Sequence, residues 1–166
     1  MLRRERVSYT RRVATITPFL WFPGTAGEAL DFYAAAFADS ELVDVTRGGG
    51  EDGTGITSGR LRVHGFDLIL FNGPPIAEFT SAISLMIQCE TQAEIDAHWD
   101  ALLDGGEPVQ CGWLKDRFGV SWQVVPRCLG ELLGGEDSAG ARRAREAMLG
   151  MVKLDIAALR AAYAGA

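Results

Sequence analysis

The chain has 166 residues, a hydrophobic fraction of 48% and a formal charge of -6. Such apolar content supports a sizeable core and excludes wholesale disorder. The acidic balance disfavours nucleic acid as a partner, and no apolar run approaches the roughly 20 residues that a membrane helix needs. In chain order, residues 1–14 carry five arginines and little that packs, so they read as a disordered basic arm outside the fold. From Thr17, the segment TPFLWFPGTAGEALDFYAAAF gives a short apolar strand and then Thr25-x-x-Glu28. That is the capping-box pattern, in which both side chains satisfy orphan N–H groups at a helix start. Ala29, Phe32, Tyr33, Ala36 and Phe37 follow at helical spacing. A strand is expected over Glu41–Arg47. GRLRVHGFDLILFN, from Gly59, then reads as a hairpin turning near Gly65.

The same order returns. Shifted by 66 residues, Thr17 falls on Ile83, which opens ISLMIQCETQAEIDAHWDALL. Thr91 and Glu94 repeat the capping pattern, and Ile95, Trp99 and Leu102 mark the helix. A shortened strand around Glu107–Gln110 precedes GWLKDRFGVSWQVVP, a hairpin turning near Gly119. Two helical stretches close the chain, about Ala139–Leu149 and Leu154–Tyr163. The expected fold is α+β: two βαβββ modules, about 15–75 and 80–127, with a C-terminal helical tail over 128–166, all within one domain of residues 15–166.

Period-two alternation assigns faces. Trp122, Val124, Leu85 and Ile87 suit the helix side, as does Trp21, while Ser84, Met86, Gln88, Ser121, Gln123 and Val125 face the other way. Curled sheets of this kind leave a concave face for a small ligand. Trp113 stands near its mouth. Gln88 and Gln123 bring amides that need partners, from a ligand, from water, from backbone or from each other.

Other chemistry is sparse. Cys89, Cys111 and Cys128 make an odd number without CxxC, and no signal-peptide core is present, so reduced thiols in the cytoplasm are expected. Cys89 and Cys128 read as buried structural thiols. Cys111 lies four residues from Lys115, the one thiol placed for activation. Lys115-Asp116-Arg117 reads as a solvated turn, with an Asx turn at Asp116 as the alternative. Gly48, Gly50 and Gly53 match GxGxxG, but the residues after them read as strand, whereas a nucleotide site needs a helix start there.

The blocks ITPFLWF, AGEALDFYAAAF, ISLMIQCETQAEIDAHW, CGWLKDRFGVSWQVVP and MVKLDIAALRAAY resemble the PhnB-like branch of the vicinal oxygen chelate superfamily. That superfamily also includes glyoxalase I and extradiol dioxygenases, and the branch is often labelled 3-demethylubiquinone-9 3-methyltransferase. The resemblance implies a glyoxalase/bleomycin resistance-like fold and a homodimer. It also implies metal-ligand slots on the first and last strand of each module. The last-strand slots fall on Ile69 and Gln123; the first-strand slots fall near Pro18 or Leu20 and near Ser84 or Met86. None offers an imidazole or carboxylate, and His64 and His98 lie elsewhere, so no metal and no cofactor is expected. Three readings follow: a small-molecule binder using Ser84, Met86, Gln88, Trp113, Ser121, Gln123 and Ile69; an enzyme on a small oxygen-rich substrate; or a dimeric interaction module.

Overall fold

A computed structural model describes residues 14–49, 55–76 and 78–166. The expected basic arm, apart from Ala14, lies outside the described residues. The first module runs β1 (Phe19–Phe22), α1 (Ala26–Ala36), β2 (Glu41–Gly49), β3 (Gly55–Val63) and β4 (Phe66–Asn72). The second runs β5 (Leu85–Cys89), α2 (Gln92–Leu103), β6 (Glu107–Pro108), β7 (Trp113–Lys115) and β8 (Ser121–Pro126). Each forms a four-stranded mixed sheet, ordered β1-β4-β3-β2 and β5-β8-β7-β6. The first strand of each module lies parallel to the last, and the remaining pairs are antiparallel. His64 and Gly65 turn the β3–β4 hairpin with φ of 49° and 75°, the pair of left-handed residues that a two-residue turn needs.

The repeat contains a one-residue offset that the sequence alignment hides. Phe19 pairs with Ile69 and Met86 pairs with Gln123, so the first strands correspond at a shift of 67 rather than 66. The difference lies between strand and helix, where Pro23-Gly24 in the first module replaces Glu90 in the second. Gly24 takes φ 99°, open to glycine at little cost. Because side chains alternate, the offset reverses the faces of β1. Leu20 and Phe22 pack into the core, whereas Phe19 and Trp21 lie on the opposite face. Trp21 is therefore not on the helix side. Its ring meets Phe71 edge-on at 5.0 Å and its Nε1 donates to the Pro74 carbonyl at 3.0 Å.

The two helix starts also differ. Thr91 and Glu94 form the complete capping box. Thr25 makes no side-chain cap. Instead Asn72, at the end of β4, accepts from Ala26 N at 2.7 Å and donates to the Ile56 carbonyl at 2.8 Å. A side chain 46 residues away thus satisfies an orphan donor of α1.

One cluster of buried side chains draws on both modules: Phe22, Tyr33, Phe37, Leu61 and Leu70 join Ile95, Leu102, Leu114, Trp122 and Val124. Tyr33 and Phe37 of α1 each place a ring 5.6 Å from Trp122 of β8. Beside them Asp116 is only 3% exposed, which overturns the solvated-turn reading. Its Oδ1 accepts from Phe118 N and Val120 N at 2.9 and 3.0 Å, the Asx turn. Its Oδ2 accepts from Tyr33 Oη at 2.6 Å and Trp122 Nε1 at 2.8 Å. Burial raises the carboxyl above the usual aspartate range, against the pull of these four donors. Burial and the neighbouring Asp116 raise the Tyr33 hydroxyl well above the usual phenol range.

The tail holds three helices rather than two: α3 (Leu129–Gly134), α4 (Ser138–Leu149) and α5 (Ile156–Ala164). Cys128 stands at the N-cap of α3 and is half-buried rather than buried. Leu154 and Leu159 cover Val125 on the sheet face turned away from α2. Gln92 clasps the tail from the first turn of α2, donating to the Leu154 carbonyl at 3.1 Å and accepting from Ile156 N at 2.9 Å. Lys153 adds an ion pair to Asp96 at 2.9 Å. Gln92→Ala removes both hydrogen bonds and should weaken tail docking by about 1–2 kcal/mol. Amide exchange at Ile156 should accelerate accordingly; unchanged exchange would show that the clasp is idle.

Candidate functional site

A cavity of about 260 Å³ opens where β1, β5 and β8 begin. Phe19, Leu20 and Trp21 wall it from the first module, and Ile83, Ser84, Leu85, Val120 and Ser121 wall it from the second. The linker between modules closes it with Glu78, Phe79 and Thr80. Phe79 is anchored by an edge-on contact with Phe22 at 5.2 Å. Most of this wall is apolar. Its polar groups are the hydroxyls of Thr80, Ser84 and Ser121 and the carboxylate of Glu78.

The seven candidate residues fall into four sets. Ser84 and Ser121 line the cavity, and Ser121 is 2% exposed with its Oγ 3.5 Å from Ser81 Oγ. Gln123 reaches the same place indirectly, since its Nε2 donates to Ser84 Oγ at 2.8 Å. Met86, Gln123 and Trp113 form one cross-strand row on the face away from α2. Gln88, exposed, lies farther along beside Val125, where the tail begins to cover the sheet. Ile69 sits across from Phe19 on the other sheet. The alternation put Met86 and Gln123 on one face of β5 and β8, as the register has them, but it did not bring in Leu85 or Val120, which also line the cavity. It missed Phe19 and Trp21 through the offset in β1, and it missed Phe79 because the linker has no periodicity to read.

The remaining reactive groups lie apart from this cavity. Cys89 is buried, which pushes its thiol up to about 11. Cys111 is half-buried and its Sγ faces the Met148 carbonyl at 3.6 Å. Gly48 and Gly49 end β2, Gly55 begins β3, and these strands are antiparallel neighbours. Gly50 and Gly53 lie outside the described residues. His64 and His98 come from different modules yet meet edge-on at 5.2 Å, with Phe37 against both. Asp39 Oδ2 lies 3.0 Å from His64 Nδ1. Burial, with help from His64, holds the His98 imidazole below its ordinary range, against Glu94 and Asp39. A base with a lowered folded-state pKa stabilises the fold above about pH 6.5 and loses that contribution as pH falls. The melting temperature should therefore drop between pH 7 and 5, and drop less in His98→Gln. Parallel curves would remove His98 as the cause.

The sequence model of the family described as 3-demethylubiquinone-9 3-methyltransferase matches residues 14–125. The chain belongs to this family. A Bacillus cereus structure described as a putative 3-demethylubiquinone-9 3-methyltransferase, PhnB protein, is 32% identical; the match covers 68% of this chain and 99% of that one, with a TM-score of 0.62. A Pseudomonas aeruginosa protein is 25% identical over 69% of this chain and 98% of its own, with a TM-score of 0.58. The fosfomycin resistance protein FosX from Listeria monocytogenes shares the fold at 13% identity, covering 67% of this chain and 88% of its own, with a TM-score of 0.51. No curated protein sequence matches the chain.

Residues α3 to α5 lie beyond the part that the family model matches. Within that part, the register gives the metal slots implied by the wider superfamily as Phe19, Ile69, Met86 and Gln123. Phe19 replaces the expected position near Pro18 or Leu20, and of the two alternatives Ser84 and Met86 the register selects Met86. These side chains do not fit a divalent cation: three offer no oxygen or nitrogen, and the fourth, Gln123, offers only a neutral amide oxygen. Among the described residues no helix is long and apolar enough to cross a membrane.

Proposed function

We propose that the protein binds a small molecule in the cavity at the junction of its two modules. The observation that carries this reading is the hollow itself, about 260 Å³, walled by apolar side chains from both modules and supplied with a few hydroxyls. That combination is characteristic of small-molecule sites. Binding is favoured over catalysis by the wall's chemistry. Among the described residues Glu78 is the one ionisable side chain on the wall, and no acid–base pair or activated nucleophile stands beside it. Methyl transfer, which the family description names, gains no support from the glycine run, because the described residues that follow it, from Gly55, form strand β3 rather than a helix start.

The reading extends to assembly and location. Phe19, Ile83 and Met86 are 55%, 72% and 54% exposed, an apolar surface suited to a homodimer. Residues 15–166 act as one domain, and the three free cysteines suit the cytoplasm. Light scattering should give twice the chain mass. For the site, a thermal-shift screen of small metabolites should raise the melting temperature by mass action. Gln123→Ala, which frees Ser84, should reduce the shift, and Ile83→Trp, which fills the mouth, should abolish it. Shifts that survive Ile83→Trp would place binding elsewhere.

A further inference from the structure

We infer that the occupant of this cavity is an uncharged molecule built on one or two aromatic rings, not an anionic, oxygen-rich one. This inference rests on the binding reading above and adds a ligand class to it. Size comes first. A dry cavity of about 150 Å³ accepts benzene, and drug-sized ligands start near 300 Å³. The 260 Å³ here lies between, which suits one ring or two fused rings. Wall chemistry comes second. Phe19, Trp21 and Phe79 present aromatic surface, and Ile83, Leu85 and Val120 present aliphatic surface. Trp21 is held in place by its bond to Pro74 and its contact with Phe71, so the surface is preformed.

Charge decides the class. Among the described residues, no lysine, arginine or histidine lines the cavity, and the single charge on its wall is the Glu78 carboxylate. An anion entering would shed water against aromatic walls without a cation to receive it, and would meet a like charge at the rim. On the second sheet Lys115 pairs across from Ser121 but is not part of the wall. On the same face of the first sheet the nearest positive group among the described residues is Arg60. It stands on β3, separated from β1 by β4, and already lies 3.5 Å from Asp44 Oδ2. The hydroxyls fit a neutral polar handle instead. Ser84 Oγ accepts from Gln123 and so keeps its own proton to donate. A phenol, carbonyl or amide on the ring can use that proton.

The test uses three probes of one size: 2-naphthol, 2-naphthoate and 2-naphthylmethylamine, titrated by calorimetry at pH 7.5 into the full-length native chain, Ile83→Trp and Glu78→Lys. The expected result is that naphthol binds about tenfold or more tightly than either charged probe, an isolated charge being costly to desolvate. Glu78→Lys should raise naphthoate affinity several-fold relative to naphthol, and Ile83→Trp should remove naphthol binding. Ile83 is 72% exposed, so this substitution spares the core. If naphthoate or the ammonium probe binds as well as naphthol, and Ile83→Trp still removes that binding, the ligand class is overturned and the site survives. If no probe binds, or Ile83→Trp changes nothing, the binding reading falls together with the inference.

Discussion

Replacing Asp116 with alanine should lower the unfolding free energy by about 3–5 kcal/mol, one of the largest single-residue effects in this chain. The substitution strips an acceptor from Tyr33 Oη and Trp122 Nε1, both buried, and from the amides of Phe118 and Val120. Each buried donor left without a partner costs about 1–3 kcal/mol. Asparagine should recover only part of the loss. Its single oxygen can serve one pair of donors, while its amide would face the other pair. Tyr33→Phe should cost about 1 kcal/mol, since it removes one hydrogen bond and leaves Trp122 to hold the carboxylate. The check is urea denaturation of all three variants, with a Tyr33→Phe/Asp116→Ala double-mutant cycle. Because Tyr33 and Asp116 lie 83 residues apart, in α1 and the β7–β8 turn, the cycle measures coupling between modules. A coupling energy near zero, or a stable Asp116→Ala protein, would show that the carboxylate does not join them.

Asp116 also shows where sequence reasoning reaches and where it stops. The Asx turn is a local pattern, four residues long, and Asp116-x-x-Gly119 announces it. Tyr33 and Trp122 as partners are not local, and no spacing rule connects a helix in one module to a turn in the other. The same boundary separates the two helix caps. Thr91 with Glu94 is self-contained and forms as expected. Thr25 with Glu28 reads identically, yet Asn72 arrives from β4 and takes its place. Alternation was a sound guide wherever its register was anchored. Gln123, Met86 and Trp113 share a face as their parity requires. In β1 the anchor was the repeat itself, and the extra residue at Pro23-Gly24 moved Trp21 from core to cavity wall. The helical periodicities were the firmest signal: Tyr33, Ile95, Trp99 and Leu102 are all buried. The cavity as a whole was legible only in part, because a wall made by a linker, two strand starts and a hairpin has no single period.

Gly112→Ala should cost about 2–5 kcal/mol, lowering the melting temperature by roughly 2–4 °C for each kcal/mol, and should loosen the C-terminal tail. Two terms combine. Gly112 has φ 80°, where an L side chain is strained. A Cβ there would lie 2.7 Å from the Val124 carbonyl oxygen and 3.1 Å from Leu154 Cδ1. Neither neighbour yields easily. Val124 N donates to the Gly112 carbonyl at 2.8 Å, which pins β8 in place. Leu154 is fully buried under Val125. Gly112 N and Cys111 N also donate to the carbonyls of Val152 and Met151, both at 2.8 Å, so the turn before β7 carries the tail on its backbone. Gly119→Ala is the matched control. Its φ is 87°, but the nearest atom to its Cβ would be Phe79 Cβ at 3.9 Å, leaving only the conformational strain of about 1–2 kcal/mol. The difference between the two variants isolates the contact with Val124 and the tail. Limited proteolysis should cut between Met148 and Leu154 faster in Gly112→Ala than in Gly119→Ala. Equal stabilities and equal cleavage rates would mean that the tail does not depend on this turn. The docking would then rest on the Gln92 clasp and on Leu154 and Leu159 alone.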